Sequence, residues 1–163
     1  MSIGEEPPVG PPVGPPALPV TWRPRRTRVV AYAVAAAVLV TVVVVALALP
    51  SSGVRPFSVI DRVGLILVGV AIACVLGVMA RPRITAAESG LTVVNLVRTH
   101  QLEWAQVVDV HLNDGEPWLV LDTSDGETLS AMGVQASGGA RARRATAELA
   151  ALVTAQTRTE RDD

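Results

Sequence analysis

Apolar and polar positions divide the chain into stretches with different periods. Val29 to Leu49 is a run of 21 residues without a charge, and Val63 to Ala80 is a second run of 18. At about 1.5 Å of rise per residue the first spans ~31 Å, the thickness of a bilayer's hydrocarbon core, and the second is close to the shortest run that crosses. Val38 to Leu49 is Val, Leu and Ala but for Thr41. Such β-branched residues weaken a helix in water but are accepted in lipid, where the backbone must satisfy its own hydrogen bonds. The pattern therefore predicts a two-helix transmembrane hairpin, 29–49 and 63–80, joined by an extracytoplasmic loop at 50–62. Asp61 and Arg62 at the entrance of the second run, and Arg81 and Arg83 beyond its exit, mark the interfaces.

From residue 81 the period falls to two. Ile84 to Ala87 and Leu91 to Asn95 flank the turn Glu88-Ser89-Gly90, and Thr99 to Glu103 leads into Trp104. Val107 to Asn113 alternates Val108, Val110 and Leu112 against Asp109, His111 and Asn113, as a half-buried strand does. Asp114-Gly115 begins a turn, and Trp118 to Asp122 and Thr128 to Met132 are strands on either side of Ser124-Asp125-Gly126. From Gly139 the spacing is helical, with Ala145, Leu149, Leu152 and Val153 on one stripe, Arg144 and Glu148 paired across one turn of the exposed side, and Ser137 as a cap. Trp104 and Trp118, the largest apolar side chains of this part, are expected as core anchors. A domain at 81–156 with a disordered tail at 157–163 follows.

Residues 1–28 read as a disordered, proline-rich cytoplasmic tail. Within it Pro7-Pro8-Val9-Gly10 is repeated as Pro11-Pro12-Val13-Gly14, a semi-rigid tether whose PxxP spacing, as in Pro8 and Pro11, also suits aromatic-grooved adaptors. Arg23, Arg25, Arg26 and Arg28 precede the first run, Arg55 and Arg62 lie in the loop, and Arg81 and Arg83 follow the second run. This bias places both termini in the cytoplasm of a multi-pass protein of the cell membrane. A cleaved signal peptide is the rival reading, since Ala46-Leu47-Ala48 resembles a cleavage site. The length of the apolar run, its polar lead-in and the second span weigh against it. Cys74, the single cysteine, falls inside the second run and forms no internal disulfide.

Charge narrows the function classes. All 14 basic residues are arginine, a usage associated with bacteria of high genomic GC content. Residues 81–163 carry 8 arginines and 12 acidic residues, a net −4, which disfavours binding to a phosphate polymer, so no nucleic-acid partner is expected. Residues 1–28 carry 4 arginines and 2 glutamates, a net +2, suited to a topology signal or to contact with anionic headgroups. Neither run contains Asp, Glu, Lys, Arg or His, which argues against transport. Gly69, Ala73 and Gly77 form a small-residue stripe on the second helix, expected to pack on Ala33, Ala37 and Thr41 of the first, with a homo-oligomer through the same stripe as second choice. Asp109 and His111 share a strand face and His100 sits near Glu103, but two histidines without a cysteine or carboxylate cluster fall short of a metal site. No nucleophile elbow occurs, so neither a catalytic residue nor a cofactor is expected.

Arg83-Ile84-Thr85 through Gly90-Leu91, the step Leu102-Glu103-Trp104-Ala105-Gln106-Val107, the Leu121 to Leu129 hairpin around Asp125-Gly126 and the final helix together resemble the bacterial pleckstrin-homology-like (PH) domains of small actinobacterial membrane proteins with two N-terminal transmembrane helices. The resemblance covers about residues 63–155 and implies an α+β fold, a bent antiparallel sheet of about seven strands closed by one C-terminal helix. Eukaryotic members known for phosphoinositide binding carry basic residues at the first hairpin, where this chain has Glu88. The expectation is a non-enzymatic interaction or scaffold module at the inner face of the membrane, with the lipid bilayer and an unknown membrane or cytoplasmic protein as partners. The alternative is an accessory subunit of a membrane enzyme or transporter, acting through the helical hairpin.

Overall fold

A computed structural model describes residues 14–50, 56–113 and 115–162, with side chains described as far as residue 157. Residues 7–13 of the proline-rich tract, Arg55 and Asp114 of the expected turn lie outside the described residues. Helix α1 (Arg25–Ala48) and helix α2 (Val59–Met79) are both long and apolar enough to cross a membrane. Each begins four residues before its apolar run, because a helix starts at its cap rather than at its first apolar residue. At α2 that cap is a box in which Ser58 Oγ accepts from the Asp61 N–H and Asp61 Oδ2 accepts from the Ser58 N–H. Arg62 donates to the carbonyls of Ala46 and Leu49, both at 2.6 Å, closing the hairpin on the carbonyl end of α1.

The helices meet on a different face of α1 from the expected one. Ala31, Ala35 and Ala46 are buried, whereas Ala33, Ala37 and Thr41 are exposed. Gly69 takes the closest approach: a Cβ built there would stand 3.0 Å from Val42 Cγ2. A Cβ at Gly77 would meet nothing within 4 Å. Alanine at 31, 33, 35, 36 and 37 fits several faces at a spacing of four, so only the seat of Val42 on Gly69 selects one.

Among the described residues seven strands form two antiparallel sheets. The first, in spatial order, holds β1 (Val20–Trp22), β2 (Arg83–Ala87), β3 (Gly90–Val94) and β4 (Thr99–Leu102); the second holds β5 (Val107–His111), β6 (Trp118–Thr123) and β7 (Thr128–Gln135). Helix α3 (Ala140–Asp162) closes the fold and runs through the expected disordered tail. Strand β1 corrects the expected tail at 1–28: Val20 pairs with Ala86 and Trp22 with Ile84. The three residues Val20–Trp22 are too few to show alternation, so the strand is invisible without its partner. The seventh strand thus precedes the helices, and the whole α1–α2 hairpin occupies the connection between two paired strands.

Ile84, Ala86, Leu91 and Val93 of the first sheet face Val107, Val110, Leu119, Leu121, Ala131 and Val134 of the second, with Ala145, Leu149, Leu152 and Val153 of α3 and Trp104 completing the core. Trp104 donates its indole N–H to the carbonyl of Ala87 at 3.0 Å, which anchors the short 3-10 turn Trp104–Gln106. Trp118, expected as a second core anchor, is only half-buried and stands outside this cluster; Trp22 packs against the cluster instead. In β5 a bulge between Val107 and Asp109 breaks the expected alternation and leaves Val108, read as inward, 64% exposed. Two glycines are dictated by space. Gly90 has φ +133° and a Cβ there would reach 2.3 Å from the Leu102 carbonyl oxygen, while at Gly133 of β7 a Cβ would lie 2.7 Å from the backbone of Arg83 and Ile84. Asn95, just past β3, donates to Ser130 O at 2.7 Å and accepts from the Met132 N–H at 3.0 Å, so one side-chain amide joins the two sheets.

Candidate functional site

The insertion of the hairpin between β1 and β2 creates a seam where α1 leaves the domain. Trp22 donates its indole N–H to Glu148 Oε2 at 3.0 Å, and Arg144 Nε donates to Glu148 Oε1 at 2.9 Å. The Trp22 bond, and after it Arg144, hold the Glu148 carboxyl below the ordinary carboxylate range against the opposing effect of burial. The expected Arg144–Glu148 pair is present, but Glu148 is not a free surface residue: its side chain is 17% exposed, pinned under β1. One turn into α1, Thr27 donates its hydroxyl to Gln135 Oε1 at 2.7 Å and ties the helix to the end of β7.

Beside these bonds lies a cleft of about 560 Å³, walled by Trp22 and the first turn of α1 on one side and by the end of β7 and the first turn of α3 on the other. Arg23, Arg25, Arg26 and Arg141 line it, and among the described residues no carboxylate does. Ser137, expected to cap α3, sits in the 3-10 turn Ala136–Gly138 and lines the same cleft, with Gly138 and Gly139 between it and the helix. A smaller cavity of about 130 Å³ on the other side of Arg23 is lined by Arg28, Tyr32, Arg81 and Arg83. There Arg28 Nε is shielded from solvent with no hydrogen-bond partner, and its guanidinium stands 6.0 Å from the centre of the Tyr32 ring. The arginines expected to mark the membrane interface are thereby gathered into one cationic collar. Arg141, from the far end of the chain, joins a group that no local motif announces.

A second cluster occupies the outer face of the β5–β6–β7 sheet. The bulge at Val108 turns Asp109 and His111 to the same side, directly over the cross-strand partner Asp122. His111 Nδ1 stands 3.7 Å from Asp109 Oδ2 and 3.6 Å from Asp122 Oδ2, and its Nε2 stands 4.0 Å from Glu116 Oε2. Two carboxylates directly opposite on neighbouring strands repel unless a cation or a proton lies between them. Asp109, His111 and Asp122 offer ligand atoms within 4.8 Å of one another, the group among the described residues with the geometry to hold a metal ion. Asp109 and His111 share a face as the alternation predicted; Asp122 and Glu116 were not legible, because strand register brings them in. His100 lies on β4 opposite Val93, on the other sheet.

The bacterial PH domain matches residues 81–152 of the chain. Uncharacterized proteins from Mycobacterium bovis and from two strains of Mycobacterium tuberculosis are each 33% identical to it over 119 residues, covering 72% of this chain and 77% of theirs. No solved structure gives a significant match. The matched segment begins at residue 81, so β1, which completes the first sheet, lies outside it.

Proposed function

This chain belongs to the bacterial PH-domain family, and from that premise we propose that it is a non-enzymatic interaction or scaffold module anchored in the bacterial cytoplasmic membrane. In this reading α1 and α2 cross the bilayer, both termini lie in the cytoplasm, and the domain recruits or steadies a protein partner at the inner leaflet. The observation that carries the proposal is the two-point attachment. The apolar hairpin leaves and re-enters the domain through paired strands β1 and β2, with Trp22 and Ile84 at the last rung. A domain held at two adjacent points keeps a fixed face toward the bilayer, which is what a recruiting surface needs and a flexible tether does not supply. The arginines at 23, 25, 26 and 28 and at 81 and 83 favour a cytoplasmic placement of both helix ends nearest the domain. The titratable cluster around His111 stands on an open sheet face, with the Asp109 side chain 67% exposed, which suits a contact surface better than water-excluded chemistry.

The alternative, an accessory subunit working through its hairpin, is favoured by one observation: the Cβ position of Gly77 is open, so part of the small-residue stripe is unused within the hairpin. Crosslinking pull-down in cells separates the readings. Because β1 belongs to the domain, the proper control is a chain reduced to residues 23–82 rather than one truncated only at its C-terminal end. Partners captured by the full chain and lost from the hairpin alone support recruitment by the domain. The same partners captured by both would move the function into the membrane.

A further inference from the structure

Four arginines line one cleft with no carboxylate beside them among the described residues, which is an electrostatic problem within the protein. Two helix N-termini make it worse. The first turns of α1 and α3 both line the cleft, Pro24 supplies no side-chain cap to α1, and neither helix has an acidic residue in its first turn. The N-terminal pole of a helix carries free N–H groups and a partial positive charge, so arginine there is repelled and an anion is attracted. Arg25, Arg26 and Arg141 therefore add cationic charge at two positive poles, and just beyond Arg23 the guanidinium of Arg28 has an Nε with no hydrogen-bond partner. Repulsion of this kind is relieved by a bound anion with several acceptor oxygens.

We propose that the cleft between the first turns of α1 and α3 binds the phosphate group of an anionic membrane lipid, with Arg25, Arg26 and Arg141 as the principal donors. The inference rests on the proposal that α1 and α2 cross the bilayer, which puts the cleft, at the point where α1 leaves the domain, level with the inner-leaflet headgroups. Guanidinium groups suit the ligand because their planar forks donate in pairs to phosphate oxygens. The need for positive charge before a membrane span explains Arg23 to Arg28 without any ligand. It does not explain Arg141, which belongs to α3, far along the chain from either apolar helix, and still lines the same cleft. The Glu88 hairpin between β2 and β3 contributes no residue to it.

The test uses the full chain in nanodiscs of phosphatidylcholine, alone or with one fifth phosphatidylglycerol, and reads by native mass spectrometry which lipid stays on the protein as the disc is stripped. The expected result is retention of phosphatidylglycerol in at least tenfold preference over phosphatidylcholine. Arg141→Gln should lower that preference fivefold or more, while Arg143→Gln, on the same helix but outside the cleft lining, should leave it unchanged. Equal loss in both variants, or no preference in the parent chain, would overturn the site. Sn-glycerol 3-phosphate binding to the detergent-solubilised chain as tightly as phosphatidylglycerol would overturn the lipid as the source. Protein that fails to enter the nanodisc at all would refute the membrane reading itself, an outcome distinct from insertion without lipid preference. Thermal unfolding of each variant beside the parent separates loss of the site from loss of the fold.

Discussion

Replacing Trp22 by phenylalanine tests whether a strand ahead of the apolar α1–α2 hairpin is truly part of the domain behind it. The substitution keeps an aromatic ring against the core but removes the donor that reaches Glu148 Oε2 at 3.0 Å across 126 positions of sequence. A hydrogen bond to a charged group contributes about 1.5–3 kcal/mol net. Glu148 keeps Arg144 on its other oxygen and its side chain is 17% exposed, so the lower end applies. In a double-mutant cycle of Trp22→Phe with Glu148→Ala the coupling is expected at about 1.5 kcal/mol, roughly a tenfold change in the opening equilibrium of β1. Hydrogen exchange at those β2 amides that point toward β1 rather than β3 reads that opening in the detergent-solubilised full chain.

The pH dependence of the coupling follows from Glu148. Its folded-state pKa is depressed, first by Trp22 and then by Arg144, below the ordinary value of 4.5. Its contribution is therefore complete above that value, where the carboxylate is charged in both states, and is lost as pH falls through the lower folded value. The coupling should be constant from pH 7 to pH 5 and diminish below about 4.5. A coupling under ~0.3 kcal/mol at pH 7, within the usual scatter of independent sites, would refute the docking of β1. Undiminished coupling at the acid end would refute the role of the carboxylate charge.

Gly133→Ala places a Cβ 2.7 Å from the backbone of Arg83 and Ile84, where no flexible side chain can yield. The two sheets must separate there, and thermal unfolding should report a loss of about 2–3 kcal/mol. Gly69→Ala crowds Val42 and should destabilise the helical hairpin by about 1 kcal/mol, with Val42→Ala in the same chain restoring part of the loss. Protection of α1 and α2 from proteolysis in detergent is the readout, and failure of the second change to compensate would place the contact elsewhere. Leu149→Ala, at a fully buried position of α3, should cost about 2–5 kcal/mol. Val108→Ala, inward by alternation but outward in the structure, should change stability by under about 0.5 kcal/mol, and a core-sized loss would remove the β5 bulge from the description.

Two-point attachment also couples the apolar hairpin to the domain. Thr27 in α1 is bonded to Gln135 at the end of β7, while Trp22 just before α1 is bonded to α3. A rotation of α1 would therefore act directly on both the second sheet and the closing helix, with no slack linker between them.

Much of this architecture is local and was legible residue by residue. An apolar run of 21 residues needs no partner to be read as a helix, because its length and composition alone match a bilayer. The strands β2 and β6 and the α3 stripe of Ala145, Leu149, Leu152 and Val153 show their buried faces as period two and period three to four, and the structure buries that stripe. Gly90 announces its turn because only glycine accepts that backbone conformation beside a neighbouring carbonyl. What tertiary structure decided is everything that depends on a partner distant in sequence. β1 is three residues without a period of its own and exists only against β2. The β5 bulge is a matter of register with β6, and it alone reverses Val108 and aligns Asp109 with Asp122. Which face of α1 is buried is set by Val42 seating on Gly69, among alanines that would serve several faces equally. The cationic cleft likewise joins Arg23, Arg25 and Arg26 to Arg141, and Trp22 to Glu148, across more than a hundred residues. Periodicity reports which side of its own element a residue occupies; charge convergence and strand pairing are properties of contacts, which exist only once the chain has closed on itself.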